Sequence, residues 1–220
     1  MILFYKEEKK MKIINQSWDW MQKPFLSLEI IEKAGRTCYK SEDKIDLGSA
    51  KKFVQMIVKR GHETVIEHVN ASVKFITNRG VTHELVRHRL CSFSQESTRY
   101  VCYDGQMEFI RPVWWIENSA DEFNAQDDWQ KAMEEAEHFY NLLLHKGWRP
   151  EQAREVLPNS LKTEIVTTAN LREWRHIFKL RTSKAAHPQI RDLMKSCLNG
   201  FKLAVPVVFD DLLPQEEQEE

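Results

Sequence analysis

Apolar positions recur along this chain with two different periods. Val69, Ala71, Val73 and Phe75 alternate with the polar Asn70, Ser72 and Lys74. A period of two sends successive side chains to opposite faces, so this segment is predicted as a half-buried strand. Met11–Met21 reads as a first strand with Trp18 and Trp20 on one face, and Glu108–Trp115 and Leu161–Thr168 read as further strands. Elsewhere the spacing is helical. Leu26, Ile30, Ile31 and Ala34 follow Pro24 and predict a helix that closes near Gly35. Gly48–Arg60 carries Ala50, Phe53, Val54 and Ile57, with Gly61 where a C-terminal cap belongs. A helix is also predicted over Val81–Arg89. Asp127–Lys146 reads as a long amphipathic helix burying Ala132, Ala136, Phe139 and Leu143, stopped by Gly147. Pro150 opens a short helix carrying Arg154, and Asn170 caps a helix to about Arg181. Pro188–Ala204 shows the clearest stripe, through Ile190, Leu193, Met194, Cys197 and Phe201. The predicted fold is α+β: a single helix-rich domain with a small antiparallel or mixed sheet. It spans 11–206, between an N-terminal extension at 1–10 and an acidic C-terminal tail at 207–220.

Composition narrows the function. The 220 residues suit one domain with its own core. Thirty-two Lys and Arg against 33 Asp and Glu leave a net charge of -1, which argues against a nucleic-acid partner. No apolar run approaches the ~20 residues needed to span a bilayer. The first residues, MILFYKEEKK, reverse the order of a secretory signal, so a soluble, cytoplasmic protein is expected. The four cysteines, Cys38, Cys91, Cys102 and Cys197, form no C-x-x-C pair and are expected as free thiols without metal. Glycines exclude more. The closest pairs, Gly35–Gly48 and Gly48–Gly61, lie 13 residues apart, so neither G-x-G-x-x-G nor a P-loop is present. Any nucleotide must then be held by side chains, for which arginine is the natural choice.

Three clusters could carry chemistry. Arg87, His88 and Arg89 are consecutive, so on a helix their side chains diverge by ~100° and reach different groups. The hydroxyls of Ser92, Ser94, Ser97 and Thr98 follow, then Arg99. That stretch reads either as an anion-binding loop or as a solvated helix end. In Arg60–His68, the histidines His62 and His68 are six apart, so no zincin site forms. Arg154, Asn170, His176 and Arg181 spread through the last third, where Arg172, Arg175 and Lys179 read as a solvated helix face. Ser97 with His88 as a hydrolase pair lacks both a nucleophile elbow and an orienting acid.

Arg87-His88-Arg89, seven residues and then Ser97, extended by Arg99-Tyr100, resembles the signature of the flavin-dependent thymidylate synthases. Four more segments match that family in order: Ala34–Ser41, Gly61–His68, Ala153–Pro158 and Asn170–Arg181. The resemblance implies that family's fold and reaction. The reaction is the reductive methylation of dUMP at C5 to dTMP, with methylenetetrahydrofolate as carbon donor and NADPH reducing the FAD cofactor. It also implies a homotetramer with sites at subunit interfaces. By the same resemblance Cys38, His62, Thr64, Glu67, Arg87, His88, Arg89, Asn170 and His176 fall at FAD positions. Glu84, Arg87, Gln95, Ser97, Arg99, Arg154 and Arg181 fall at dUMP positions. Arg181 and Arg87 are the expected catalytic residues, with Arg181 polarising the uracil. The chain departs from relatives in four places: Glu84 for Gln, Gln95 for Glu, Cys38 for Ser and His176 for Asn. Glu84 would repel the anionic substrate unless it pairs with an arginine or turns away.

Overall fold

The computed structural model describes residues 11–103, 106–115 and 123–212; the expected extension at 1–10 lies outside them. The alternating segments form strands. The predicted first strand is divided into β1 (Lys12–Ile14) and β2 (Ser17–Gln22). Trp18 and Trp20 share a face as expected, their rings edge to face at 5.5 Å. The others are β3 (Asn70–Asn78), β4 (Ser92–Gln95), β5 (Glu108–Ile110) and β6 (Lys162–Asn170). β1 pairs in parallel with β5, and β2, β3, β6 and β4 form a four-stranded sheet in that order. Leu171 N–H donates to Val69 O and Ser72 meets Thr168, so partner numbers fall as β3 advances and β3 runs antiparallel to β6.

Seven helices follow from the 3.6-residue pattern among the described residues: α1 (Ser27–Tyr39), α2 (Ser49–Lys59), α3 (Arg79–Leu85), α4 (Phe123–His145), α5 (Pro150–Ala153), α6 (Leu171–Arg181) and α7 (Pro188–Ala204). Asn170 caps α6 as expected, its Oδ1 accepting the Glu173 N–H at 2.9 Å. Gly61 closes α2 at φ 71°, a left-handed conformation that costs glycine nothing. α7 buries Ile190, Leu193, Met194, Cys197 and Phe201, the predicted stripe.

The described chain packs as two compact units, one from 11–17, 76–84 and 95–165, the other from 18–75, 85–94 and 166–212. β3 and β6 each change unit midway, at Phe75/Ile76 and Ile165/Val166. Repeated crossing explains why no linker is visible in the sequence. The first unit is built around Met107, Phe109, Met133, Tyr140, Ala153 and Leu161. The second is built around rings: Phe201 meets Trp174 at 4.9 Å, Phe178 at 5.1 Å and Phe209 at 5.2 Å.

Several boundaries differ from expectation for identifiable reasons. α3 stops at Leu85, short of Arg89. β5 stops at Ile110, since Pro112 cannot donate to a ladder. α4 buries Met133, Glu137 and Tyr140, while Ala132 and Phe139 are exposed. The helix has turned so that the larger Met133 and Tyr140 reach the core. Glu137 is tolerated inside because its carboxylate accepts the Met107 N–H at 2.6 Å. Packed chain also continues past Pro206, since Val207, Val208, Phe209 and Leu212 are buried; residues 213–220 of the expected tail lie outside the described residues.

α1 does not close at Gly35 but runs through it to Tyr39. Glycine is required there by close approach, because a Cβ would lie 2.5 Å from Cε1 of the buried Phe53 ring. Gly35→Ala gains ~1 kcal/mol of helix propensity but overpacks the Phe53 ring, a cost of ~1–3 kcal/mol. The net expectation is destabilisation of about 1 kcal/mol, read as a melting temperature lower by ~2–4 °C.

Candidate active site

The second unit contains every residue expected at the flavin. The Arg87–Arg89 stretch leaves α3 in two tight turns, with His88 N–H donating to Leu85 O and Cys91 N–H to His88 O. The central residue is thereby turned inward: His88 is 5% exposed, while Arg87 and Arg89 project outward. The diverging triplet read from the sequence thus has a buried middle member.

His88 is clamped from two sides by α6. Arg181 Nε donates to His88 Nε2 at 3.0 Å, and Glu173 Oε1 lies 3.5 Å from His88 Nδ1. The His176 ring stands edge-on at 5.6 Å. Burial, then the charges of Arg181 and His176, lower the His88 pKa to about 4. A guanidinium Nε always carries hydrogen, so Nε2 must offer its lone pair and the single ring proton sits on Nδ1, towards Glu173. Burial pushes the Glu173 carboxyl up despite the charge of His176, and burial with Glu173 pushes the Cys91 thiol up to about 12. Ligand atoms of His88, Glu173 and His176 lie within 4.8 Å of one another, a spacing a metal ion could use. The Arg181 guanidinium against the same imidazole opposes a cation there.

The first turn of α6 anchors the segment Glu63–His68, a 3₁₀ turn. Arg172 Nη1 meets Glu67 at 2.6 Å, so Glu67 is engaged by a cation on the helix previously read as solvated. Arg175 was read as solvent-facing too, yet its side chain is 3% exposed. It donates to Glu63 at 3.0 Å, to the carbonyl of Val208, and with both terminal nitrogens to Asp211 at 2.6 and 2.7 Å. Burial works against the Asp211 carboxylate, but the hydrogen bonds and charge of Arg175 outweigh it and its pKa falls. Neither Glu173 nor Arg175 was singled out from sequence, since the spacing of charges along a polar helix does not reveal which of them is covered.

A cleft of about 570 Å³ opens in this unit beside Glu67, Leu90, Asn170, Arg172, His176 and Lys179. Its donors suit a flavin in kind: Leu90 presents an exposed apolar surface to a ring, and Asn170 and the cations offer hydrogen bonds. His62 and Thr64 are exposed beside it in sequence, with His62 Nδ1 3.4 Å from the Tyr39 hydroxyl, and Cys38 is exposed at the end of α1.

The first unit holds Glu84, Gln95, Ser97, Arg99 and Arg154. Residues 92–95, read as loop, are strand β4. The Gln95 amide donates inward to Thr82 at 2.9 Å and Thr163 at 3.3 Å, which commits it to the fold. Ser97 Oγ accepts the Arg99 N–H at 3.2 Å and keeps its proton to donate. Arg154 Nη1 donates to the buried Thr98 at 3.1 Å, and the Arg99 guanidinium lies over the Tyr100 ring at 5.6 Å. Beneath these residues the Tyr103 hydroxyl donates to Glu96 at 2.6 Å, and Lys162 bridges Glu96 at 3.3 Å and Glu164 at 2.8 Å. Burial and that bond to Glu96 raise the Tyr103 pKa. This network was not foreseen; it stiffens the base of the polar loop. Glu84 is half-buried on α3.

Two outcomes follow from the second unit. Arg175→Ala strands Glu63, Asp211 and the Val208 carbonyl and is expected to cost ~3 kcal/mol of stability, whereas Arg172→Ala leaves the melting temperature nearly unchanged. Denaturant unfolding of both variants checks this. His88 binds its proton less readily folded than unfolded. Its contribution is therefore intact above pH 6.5 and stability is lost as pH falls from there through about 4. A His88→Gln variant should lack that component of the pH–stability curve.

Comparison with known proteins identifies the family. The family model described as thymidylate synthase complementing protein (Thy1) matches residues 25–207. A flavin-dependent thymidylate synthase from Corynebacterium glutamicum is 34% identical over 200 residues, covering 83% of this chain and 78% of the relative. One from Corynebacterium efficiens is 37% identical over 196 residues with the same coverage. One from Mycobacterium tuberculosis is 34% identical over 198 residues, again covering 83% and 78%. Among solved structures, the UMP/dUMP methylase PolB of Streptomyces cacaoi, crystallised with 5-Br dUMP, shares the fold at a TM-score of 0.75 and 24% identity, over 91% of this chain and 96% of that one. The chain belongs to the flavin-dependent thymidylate synthase family.

Proposed function

We propose that this protein methylates dUMP at C5 to give dTMP. The observation that carries the reading is family membership across residues 25–207, which include the whole Arg87–Arg99 signature. FAD, when bound, supplies the redox chemistry, with NADPH as reductant and methylenetetrahydrofolate as the one-carbon donor. Asn170 and His176 lie beside the flavin in this reading, with the exposed Arg87 and Arg89 turned to its anionic part. His62, Thr64, Glu67 and Cys38 complete its surroundings.

In this reading the nucleotide is held by cations and hydroxyls. Arg99, Arg154 and the free Ser97 proton meet the phosphate through charge-assisted hydrogen bonds. Arg181 presents positive charge to a pyrimidine carbonyl, where it stabilises the negative charge that develops as C5 becomes nucleophilic. Arg87 serves both ligands in this reading. Ser97 serves as a donor rather than a nucleophile, because its described partner is a backbone N–H and not a base. Gln95 supports the pocket from behind. The working form is a homotetramer in the cytoplasm, with a single catalytic domain per chain; among the described residues no helix is long and apolar enough to cross a membrane.

The test is spectroscopic first. The FAD-loaded protein, kept free of oxygen, should bleach on addition of NADPH and bleach faster with dUMP present. Adding methylenetetrahydrofolate should then yield dTMP. Arg154→Ala is expected to weaken dUMP binding by ~10-fold or more while leaving the flavin spectrum intact. A protein that takes up no FAD and forms no dTMP would overturn the reading.

A further inference from the structure

Arg181 is useful only if its guanidinium is held in place, and the described contact at its Nε is His88. That contact requires a lone pair on His88 Nε2. A free imidazole favours no such arrangement strongly: which nitrogen keeps the proton is set by what the other one meets. If the proton moved to Nε2, two N–H groups would face each other across 3.0 Å and this hold on Nε would be lost.

Four groups face this ring. Arg181 supplies a donor at Nε2. His176 stands edge-on, 5.6 Å away between centroids. Cys91, in the turn that carries His88, is held as a neutral thiol by burial and by Glu173. Glu173 is the one acceptor among them placed at Nδ1, at 3.5 Å. Its location is itself fixed, because its backbone N–H is spent on the Asn170 cap and its side chain is buried. A carboxylate buried to 7% exposure at the start of a helix, in the wall of the cleft, calls for a reason beyond solubility.

We propose that Glu173 is a positioning residue for the reaction: it keeps the His88 proton on Nδ1, so that Nε2 accepts from Arg181 and fixes the guanidinium. The inference rests on the reading that Arg181 acts on the pyrimidine. No proton is transferred in this role; the carboxylate selects a tautomer, as a buried acid does behind a catalytic imidazole.

The experiment uses FAD-loaded protein labelled with ¹⁵N-histidine, the His88 signals being assigned by their loss in His88→Gln. The wild type should show a neutral ring protonated on Nδ1. Glu173→Leu, which removes the acceptor at similar size, should shift His88 towards the Nε2-protonated tautomer. It should also lower kcat by at least ~10-fold, with a smaller change in KM for dUMP. Glu173→Gln, whose carbonyl oxygen can still accept from Nδ1, should keep the wild-type tautomer and most of the turnover. An Nε2-protonated ring in the wild type overturns the proposal without any variant, so failure of Glu173→Leu to fold leaves it testable. An unchanged tautomer in a folded Glu173→Leu overturns it as well. Arg181→Lys separates this from the parent reading. If that variant keeps full kcat, the role of Arg181 on the pyrimidine falls whatever the tautomer shows.

Discussion

Charges buried on α6 are the constraint around which the second unit is arranged. Arg175 and Glu173 sit among Leu171, Trp174, Ile177 and Phe178, in a region too apolar to leave an ion unmatched. Arg175 is compensated by Glu63 from the 3₁₀ turn and by Asp211 and the Val208 carbonyl from the chain end. Glu173 is compensated by His88 from the Arg87–Arg89 turn. Three segments distant in sequence are therefore pinned to one helix by the need to solvate two of its side chains. Apolar packing alone would not select those partners. A hydrophobic contact tolerates sliding, but a bidentate arginine fork against a carboxylate does not.

That pinning gives the signature its form. With His88 drawn in by Glu173 and Arg181, its two neighbours must point away, because consecutive side chains in a turn cannot share a direction. Arg87 and Arg89 are exposed for this reason. The same inward pull places Leu90 at the edge of the cleft with 78% of its surface exposed. An apolar side chain left that open next to Asn170 and His176 is poor design for solubility and good design for a flat ring.

The sequence was informative where one local rule dominated. β6 alternates throughout and β3 does so apart from the buried Ser72, α7 carries an unbroken stripe, and Asn170 is a cap whose partner lies three residues on. It was misleading where tertiary packing outranked local pattern. Gly35 looked like a stop because glycine usually is one; it is instead a space for Phe53, a residue eighteen positions away. α4 buries a face other than the one its apolar pattern predicts, because Ala132 and Ala136 are apolar but small, while the polar Glu137 is satisfied inside by the Met107 N–H. Of the candidate site, the triplet, Arg154 and Asn170 were visible as residue types. Which charges were covered was not, since burial of Arg175 depends on Asp211, thirty-six residues downstream.

The absence of a glycine-rich loop has a physical consequence for how this chain can hold anions. A backbone cradle is rigid from the start, whereas an arginine loses rotamer freedom when it binds. The loss shrinks if the side chain is already held. Arg154 is tied to Thr98, Arg99 rests on the Tyr100 ring, and Arg181 is tied to His88. In Arg181 the restraint uses Nε, which is distinct from the terminal fork. Lysine has no such second edge: an ammonium drawn to His88 would turn its only charged group towards the imidazole. A site built from side chains instead of loop backbone therefore favours arginine, and it favours arginines with a neighbour at Nε or along the stem. The buried Glu173 then has a place in that economy, two contacts away from the guanidinium it helps to hold.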